Sequence, residues 1–155
     1  MNLILEKSSY AKYYSYLDAI FHHLPELHEY HWLITDLKLN NYPDDKLKSE
    51  SIVMTGKELS AYLKRYRIQF IWGVFSAFKA PIFAIPKELP FADGNKNFWH
   101  RSPRPQAPGA EFEIVCWDST CTLFIGFPKN LAKRIWQLFP DIQNLDEENE
   151  QRANN

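Results

Sequence analysis

The chain has 155 residues, hydrophobic and charged fractions of 45% and 24%, and a formal net charge of −1. That length fits one domain, and 18 Lys and Arg against 19 Asp and Glu leave none of the basic excess of a nucleic-acid binder. Met1–Glu6 has no basic leader and no run approaches the roughly 18 apolar residues of a membrane span, so a cytoplasmic protein without a membrane partner is expected.

In chain order, Leu3–Glu6 reads as a short first strand. Ser8 and Ser9 then offer N-caps for a helix from about Tyr10 to His23, with Tyr13, Leu17, Ile20, Phe21 and Leu24 at helical spacing and Pro25 as its stop. Tyr30–Leu37 is rich in aromatic and branched residues and predicts a strand, and Asn40–Glu50 a polar loop. After a short strand at Ile52–Met54, Thr55 and Glu58 have the spacing of a capping box, so a helix follows with Leu59, Tyr62, Leu63 and Tyr66 facing inward. Gln69–Phe75 is apolar on both faces, as a central buried strand is. Pro81–Ile85, between prolines, predicts a short edge strand.

Lys87–Gly109 holds Pro90, Pro103, Pro105 and Pro108 and is long for a structureless loop. Its Phe91, Phe98 and Trp99 argue against disorder, so an ordered surface excursion is expected. The alternation through Phe112–Phe127, broken at Asp118-Ser-Thr120, predicts a hairpin. A last helix opens at Pro128, buries Leu131, Ile135 and Leu138, and stops at Pro140. The expected architecture is a single α+β domain over residues 1–140, with a mixed, mostly antiparallel sheet and about three helices. Residues 141–155 read as an acidic, mobile tail, because they offer little apolar surface to bury.

Each candidate chemistry has a plainer competitor. His22, His23, His28 and His31 are close in sequence, but adjacent helical positions point about 100° apart and no Cys or acid completes a zinc spacing, so no metal is expected. Cys116 and Cys121 flank the hairpin turn, and a two-residue turn would set them face to face; Asp118 nearby disfavours a reactive thiolate, so both read as small core side chains. Ser119 and Thr120 suit turn chemistry, and nothing around them resembles a nucleophile elbow. The five Gly make no phosphate-binding pattern. No catalytic residue and no cofactor are expected.

Asn97–Arg101 is the segment that composition singles out, because Trp and Arg together in an irregular loop are the residue types of binding hot spots. The hairpin tip, Trp117 and Asp118, is a second candidate. The expected partner-binding set is Asp93, Phe98, Trp99, His100, Arg101, Glu111, Glu113, Trp117 and Asp118. Its acids, with the tail, would complement a basic partner and its aromatics would anchor one.

Three stretches, Phe70-Ile-Trp-Gly-Val-Phe-Ser-Ala-Phe78, Ala92-Asp-Gly-Asn with Phe98-Trp99, and Glu113-Ile-Val-Cys-Trp-Asp-Ser-Thr-Cys121, resemble small bacterial immunity proteins encoded beside polymorphic or contact-dependent toxins. The resemblance spans about Phe70 to the last helix. It implies a cytoplasmic, non-catalytic protein that neutralises one toxin domain by tight binding, as in contact-dependent growth inhibition; it assigns no residue roles. Two other readings compete. One is a small-ligand-binding protein or enzyme with a site assembled from dispersed residues, for which a deep pocket with converging titratable groups is the sign. The other is a nucleic-acid binder that stacks bases on exposed Tyr and Trp, which the near-neutral charge disfavours.

Overall fold

The computed structural model describes residues 1–6, 12 and 16–155. The expected helix start, its Ser8 and Ser9 caps and Tyr13 lie outside the described residues. Among the described residues seven strands form one sheet: β1 (Leu3–Leu5), β2 (His31–Leu39), β3 (Ser51–Thr55), β4 (Phe70–Phe78), β5 (Phe112–Trp117), β6 (Cys121–Ile125) and β7 (Gln143–Asn144). Their order is β3-β2-β4-β5-β6-β1-β7 and every neighbouring pair is antiparallel, so the sheet is not mixed. Four α-helices accompany it among the described residues: α1 (Tyr16–His23), α2 (Gly56–Arg65), α3 (Lys129–Leu138) and α4 (Leu145–Ala153). The α+β class is as expected, and none of these helices is long and apolar enough to cross a membrane.

Strand alternation sorts the side chains into two cores. On one face Leu3, Leu5, Trp32, Ile34, Phe75, Ala77, Phe112, Ile114 and Phe124 pack with Leu17, Ile20 and Phe21 of α1, Leu59 and Leu63 of α2, and Leu131 and Ile135 of α3. On the other, Ile4, Val74, Val115, Leu123 and Ile125 pack with Ala92, Phe98 and Leu145. The first face is roofed by three helices. The second is roofed by the irregular excursion and α4.

Local chemistry explains most of the elements. Thr55 Oγ1 accepts from the Glu58 N–H at 3.1 Å while Glu58 Oε2 accepts from the Thr55 N–H at 2.9 Å, the reciprocal capping box that starts α2. Gly56 is required there, because an added Cβ would stand 2.4 Å from the Leu27 carbonyl oxygen of the neighbouring 3-10 turn, Pro25–Glu29. β4 sits between β2 and β5, and its residues Gly73–Ala77 are buried, which is the central placement its two apolar faces predict. Inside the expected loop Asn40–Glu50, Asp44 caps a short 3-10 turn at Asp45–Lys48.

Three expectations are corrected. Pro81–Ile85 is not a strand: Pro81 and Pro86 lack the N–H groups a ladder needs. Cys116 and Cys121 do not face each other. Trp117 pairs with Cys121 across a three-residue connection, which puts Cys121 on the Trp117 face and Cys116 on the helical face. The acidic tail is not a loose extension, since residues 143–153 form β7 and α4, with Leu145 and Asn149 buried. Asn144 caps α4 by accepting from the Asp146 N–H at 3.0 Å, and three acids in the first turn suit the helix dipole.

Candidate functional site

The hairpin tip collects aromatic side chains from three separate elements. Trp117 at the end of β5 packs edge to face against Trp72 of β4, with ring centroids 4.9 Å apart. It meets Trp99 at 5.0 Å and Phe98 at 6.0 Å, both from the excursion. These are the separations at which ring edges and faces attract. Phe98 is buried, whereas Trp72, Trp99 and Trp117 each keep part of their surface in solvent. The tip is pinned, because the Ser119 N–H donates to the Ile71 carbonyl at 3.0 Å and the Thr120 N–H to the Trp117 carbonyl at 2.9 Å. Its turn runs through the left-handed region at Asp118 (φ 47°) and Ser119 (φ 56°), a conformation that costs residues other than glycine.

Charges ring this cluster. Lys38, across the ladder from Trp72, forms an ion pair with Asp93. The Arg152 guanidinium lies 4.7 Å from the centre of the Trp99 ring, and Arg101 pairs with Glu150 at 3.1 Å. Asn149 donates from Nδ2 to the carbonyls of Phe98 and His100, both at 2.9 Å, so α4 clamps the loop that carries Trp99. At the other side of the loop the β2 bulge turns Asp36 to φ 52°, and its carboxylate accepts from the Ala92 and Asp93 N–H groups at 2.8 and 2.9 Å.

The structure therefore brings together Asp93, Trp99, His100, Arg101, Trp117 and Asp118 around the hairpin tip. It places Glu111 and Glu113 away from that tip. Glu111 lies at the far end of β5, where it pairs with Lys79 at 3.5 Å. Phe98 supports the cluster from beneath. Glu113, 0% exposed, is a structural group: its Oε1 accepts from Ser76 Oγ and from the Ala107 N–H, both at 2.9 Å, tying the excursion to the sheet. Its Oε2 has no hydrogen-bond partner, and burial pushes its carboxyl above the usual range against the lowering effect of those donors.

Sequence reasoning missed Trp72, Arg152, Asn149 and Asp36. Trp72 sits in a run that reads as buried on both sides, and Arg152 and Asn149 lie in a stretch that reads as solvated. Only the long-range register of β4 with β5 and the docking of α4 expose their roles. The second omission is a group of exposed apolar side chains: Phe83 is 93% exposed, Ile85 43% and Phe91 46%.

Other groups are more ordinary. His28 Nε2 is 3.0 Å from the Phe21 carbonyl oxygen and its ring stacks on Phe21, while His22 and His23 meet edge to face. Among the described residues no three His, Cys, Asp or Glu side chains are grouped to share a metal ion. Burial raises both thiols, Cys121 to about 12 and Cys116 further. A cleft of about 320 Å³ is lined by Lys12, Asp18, Tyr66 and Arg67 with Leu17, Leu63, Ile68 and Phe70; no His or Cys is among them. No protein-family model, no curated protein and no solved structure matches the chain.

Proposed function

We propose that this chain is a non-catalytic, cytoplasmic binding protein of the immunity type, which neutralises a toxin domain by docking over it. The observation that carries the reading is the set of three half-buried tryptophans, Trp72, Trp99 and Trp117, held edge to face by elements distant in sequence and ringed by Lys38, Asp93, Arg101, Asp118, Glu150 and Arg152. Indole rings fixed in this way lose little freedom when a partner covers them, so their buried area is returned as affinity. The mixed charges around them set orientation and association rate more than strength. An enzyme would need titratable groups converging in a recess. Here Lys38 pairs with Asp93 and Arg101 with Glu150 beside the tryptophans instead.

The test is co-expression with the toxin domain encoded beside the gene. The expected result is survival of the cells and a complex that copurifies with this chain. Equal killing with and without the chain, together with no complex, removes the immunity reading and leaves the dispersed-site alternative in front.

A further inference from the structure

The apolar segment that follows β4 is built for a different surface from the tryptophan cluster. Trp72 and Phe78 lie near opposite ends of β4, which at about 3.3 Å per residue sets them roughly 20 Å apart. The segment departs from Phe78 and is fastened again where Thr35 Oγ1 donates to the Pro90 carbonyl at 2.7 Å. Between those anchors runs Lys79-Ala-Pro-Ile-Phe-Ala-Ile-Pro-Lys87. The residues from Ala80 to Pro86 contain no side chain able to make a hydrogen bond, and a lysine stands at each end. Phe83 at the tip is 93% exposed, so nearly the whole ring projects into solvent. Exposed single apolar residues are common, but an exposed Phe in an uncharged run, with Ile85 also exposed and Ile82 half-buried beside it, is a concentrated apolar surface.

We propose that this loop docks on an anionic bilayer surface, with Phe83 and its isoleucine neighbours at the boundary of headgroups and acyl chains. Three features favour lipid over a protein partner. A projecting tip has no recess to receive a partner's anchor, whereas a bilayer accepts a convex apolar wedge without shape matching. Protein interfaces surround their apolar centre with groups that hydrogen-bond, and this tip has none between its lysines. Pro81 and Pro86 remove two N–H donors that would otherwise lose water on insertion, and they stiffen the loop in advance. Lys79 and Lys87 then stand at the level of the lipid phosphates, with their stems along the apolar boundary. Lys79 now pairs with Glu111 at 3.5 Å, yet 77% of its side chain is exposed, so the ammonium is free to exchange carboxylate for phosphate. Glu88 follows Lys87, so the apolar tip carries most of the affinity and the lysines add the preference for anionic lipid. Such a loop lies on a membrane and does not span it. It leaves the tryptophan cluster open, so the proposal stands independently of the toxin partner.

The test is co-sedimentation of the full chain with phosphatidylcholine vesicles containing phosphatidylglycerol and with phosphatidylcholine vesicles alone. The wild type is expected to pellet with the anionic vesicles and less with the neutral ones. Phe83→Asp should lower the bound fraction about tenfold on both, because it replaces the inserted ring with a charge. Lys79→Glu with Lys87→Glu should lower it on anionic vesicles and leave the neutral ones unchanged. Unfolding midpoints of the variants should match the wild type, since the altered side chains are solvent-facing. No sedimentation with either vesicle, or binding indifferent to Phe83→Asp, overturns the proposal. So does a wild-type dimer in the ultracentrifuge that Phe83→Asp dissolves without any vesicle binding, which would assign the loop to a second copy of the chain.

Discussion

Trp117 meets Trp99 edge to face at 5.0 Å, joining the tip of the β5–β6 hairpin to the long proline-containing excursion. The contact makes two irregular pieces of chain into one surface. Trp117 also touches Trp72 and Phe98, whereas Trp99 reaches outward to Arg152. The two tryptophans should therefore respond differently to truncation. Trp117→Ala removes the hub of the cluster and is expected to cost about 2 kcal/mol of folding stability, below the loss for a fully buried ring. Trp99→Ala gives up one edge contact and one cation–π contact and should cost about 1 kcal/mol. Denaturant unfolding of both variants checks the order, and equal losses would contradict the hub assignment.

Glu113 gives the pH dependence its sign. Burial raises its carboxyl above the unfolded value, so the folded state binds the proton more tightly than the unfolded chain. The contribution favours folding in full below the unfolded pKa and is lost as pH rises through the folded one. Glu113→Gln keeps an oxygen acceptor for Ser76 and the Ala107 N–H without the buried charge. The variant should gain stability over wild type as pH rises from the acid range to neutrality and beyond. Denaturant midpoints across that range test this, and a difference between the two proteins that stays flat, or runs the other way, would reject it.

Polar contacts dock α4 together with its buried residues: the Leu145 N–H donates to the Asn2 carbonyl and Asn2 Nδ2 to Asp146 Oδ1, both at 3.0 Å. Leu145 is buried, and Asn149, 2% exposed, makes the two bonds to Phe98 and His100. Asn149→Ala should leave both carbonyls short of a donor and cost about 1–3 kcal/mol. The loss should be concentrated in α4, with faster amide exchange over 145–153 and little change in β4 and β5. Rapid exchange of α4 already in the wild type would mean that the helix is not held as the structure places it.

Thiol chemistry follows from the register of the hairpin. Cys116 and Cys121 occupy opposite faces of the sheet, and burial raises both. Native protein should label slowly with maleimide, and unfolded protein should take up two labels. Mild oxidation of the native state should yield no internal disulfide, because the side chains point apart. An internal disulfide formed before unfolding would refute the register.

Sequence was most readable where the determinants are local. Thr55 and Glu58 announce α2 because the capping box needs only three residues of separation. The β5–β6 hairpin is legible from its alternation, and β4 from being apolar on both faces. Identity misled where tertiary contacts decide. Glu113 looks like a solvent-facing residue of an alternating strand, yet the excursion roofs it and supplies its donors. Residues 145–153 look too polar to dock, yet Leu145 and Asn149 are buried and Asp146, Glu150 and Arg152 all reach partners outside the helix. The candidate site was half visible: Trp99 and Trp117 stand out by type, while Trp72 joins them only through the pairing of Gly73 with Cys116.

The most direct measurement of the binding claim is a calorimetric titration of the neighbouring toxin domain into wild-type chain and into Trp99→Ala, with folding of the variant verified beforehand. A hot-spot tryptophan is expected to contribute about 2 kcal/mol or more, so Trp99→Ala should weaken a one-to-one complex by roughly thirtyfold. An unchanged affinity would move the interface away from the tryptophan cluster, and the absence of any complex with the wild type would contradict the account itself.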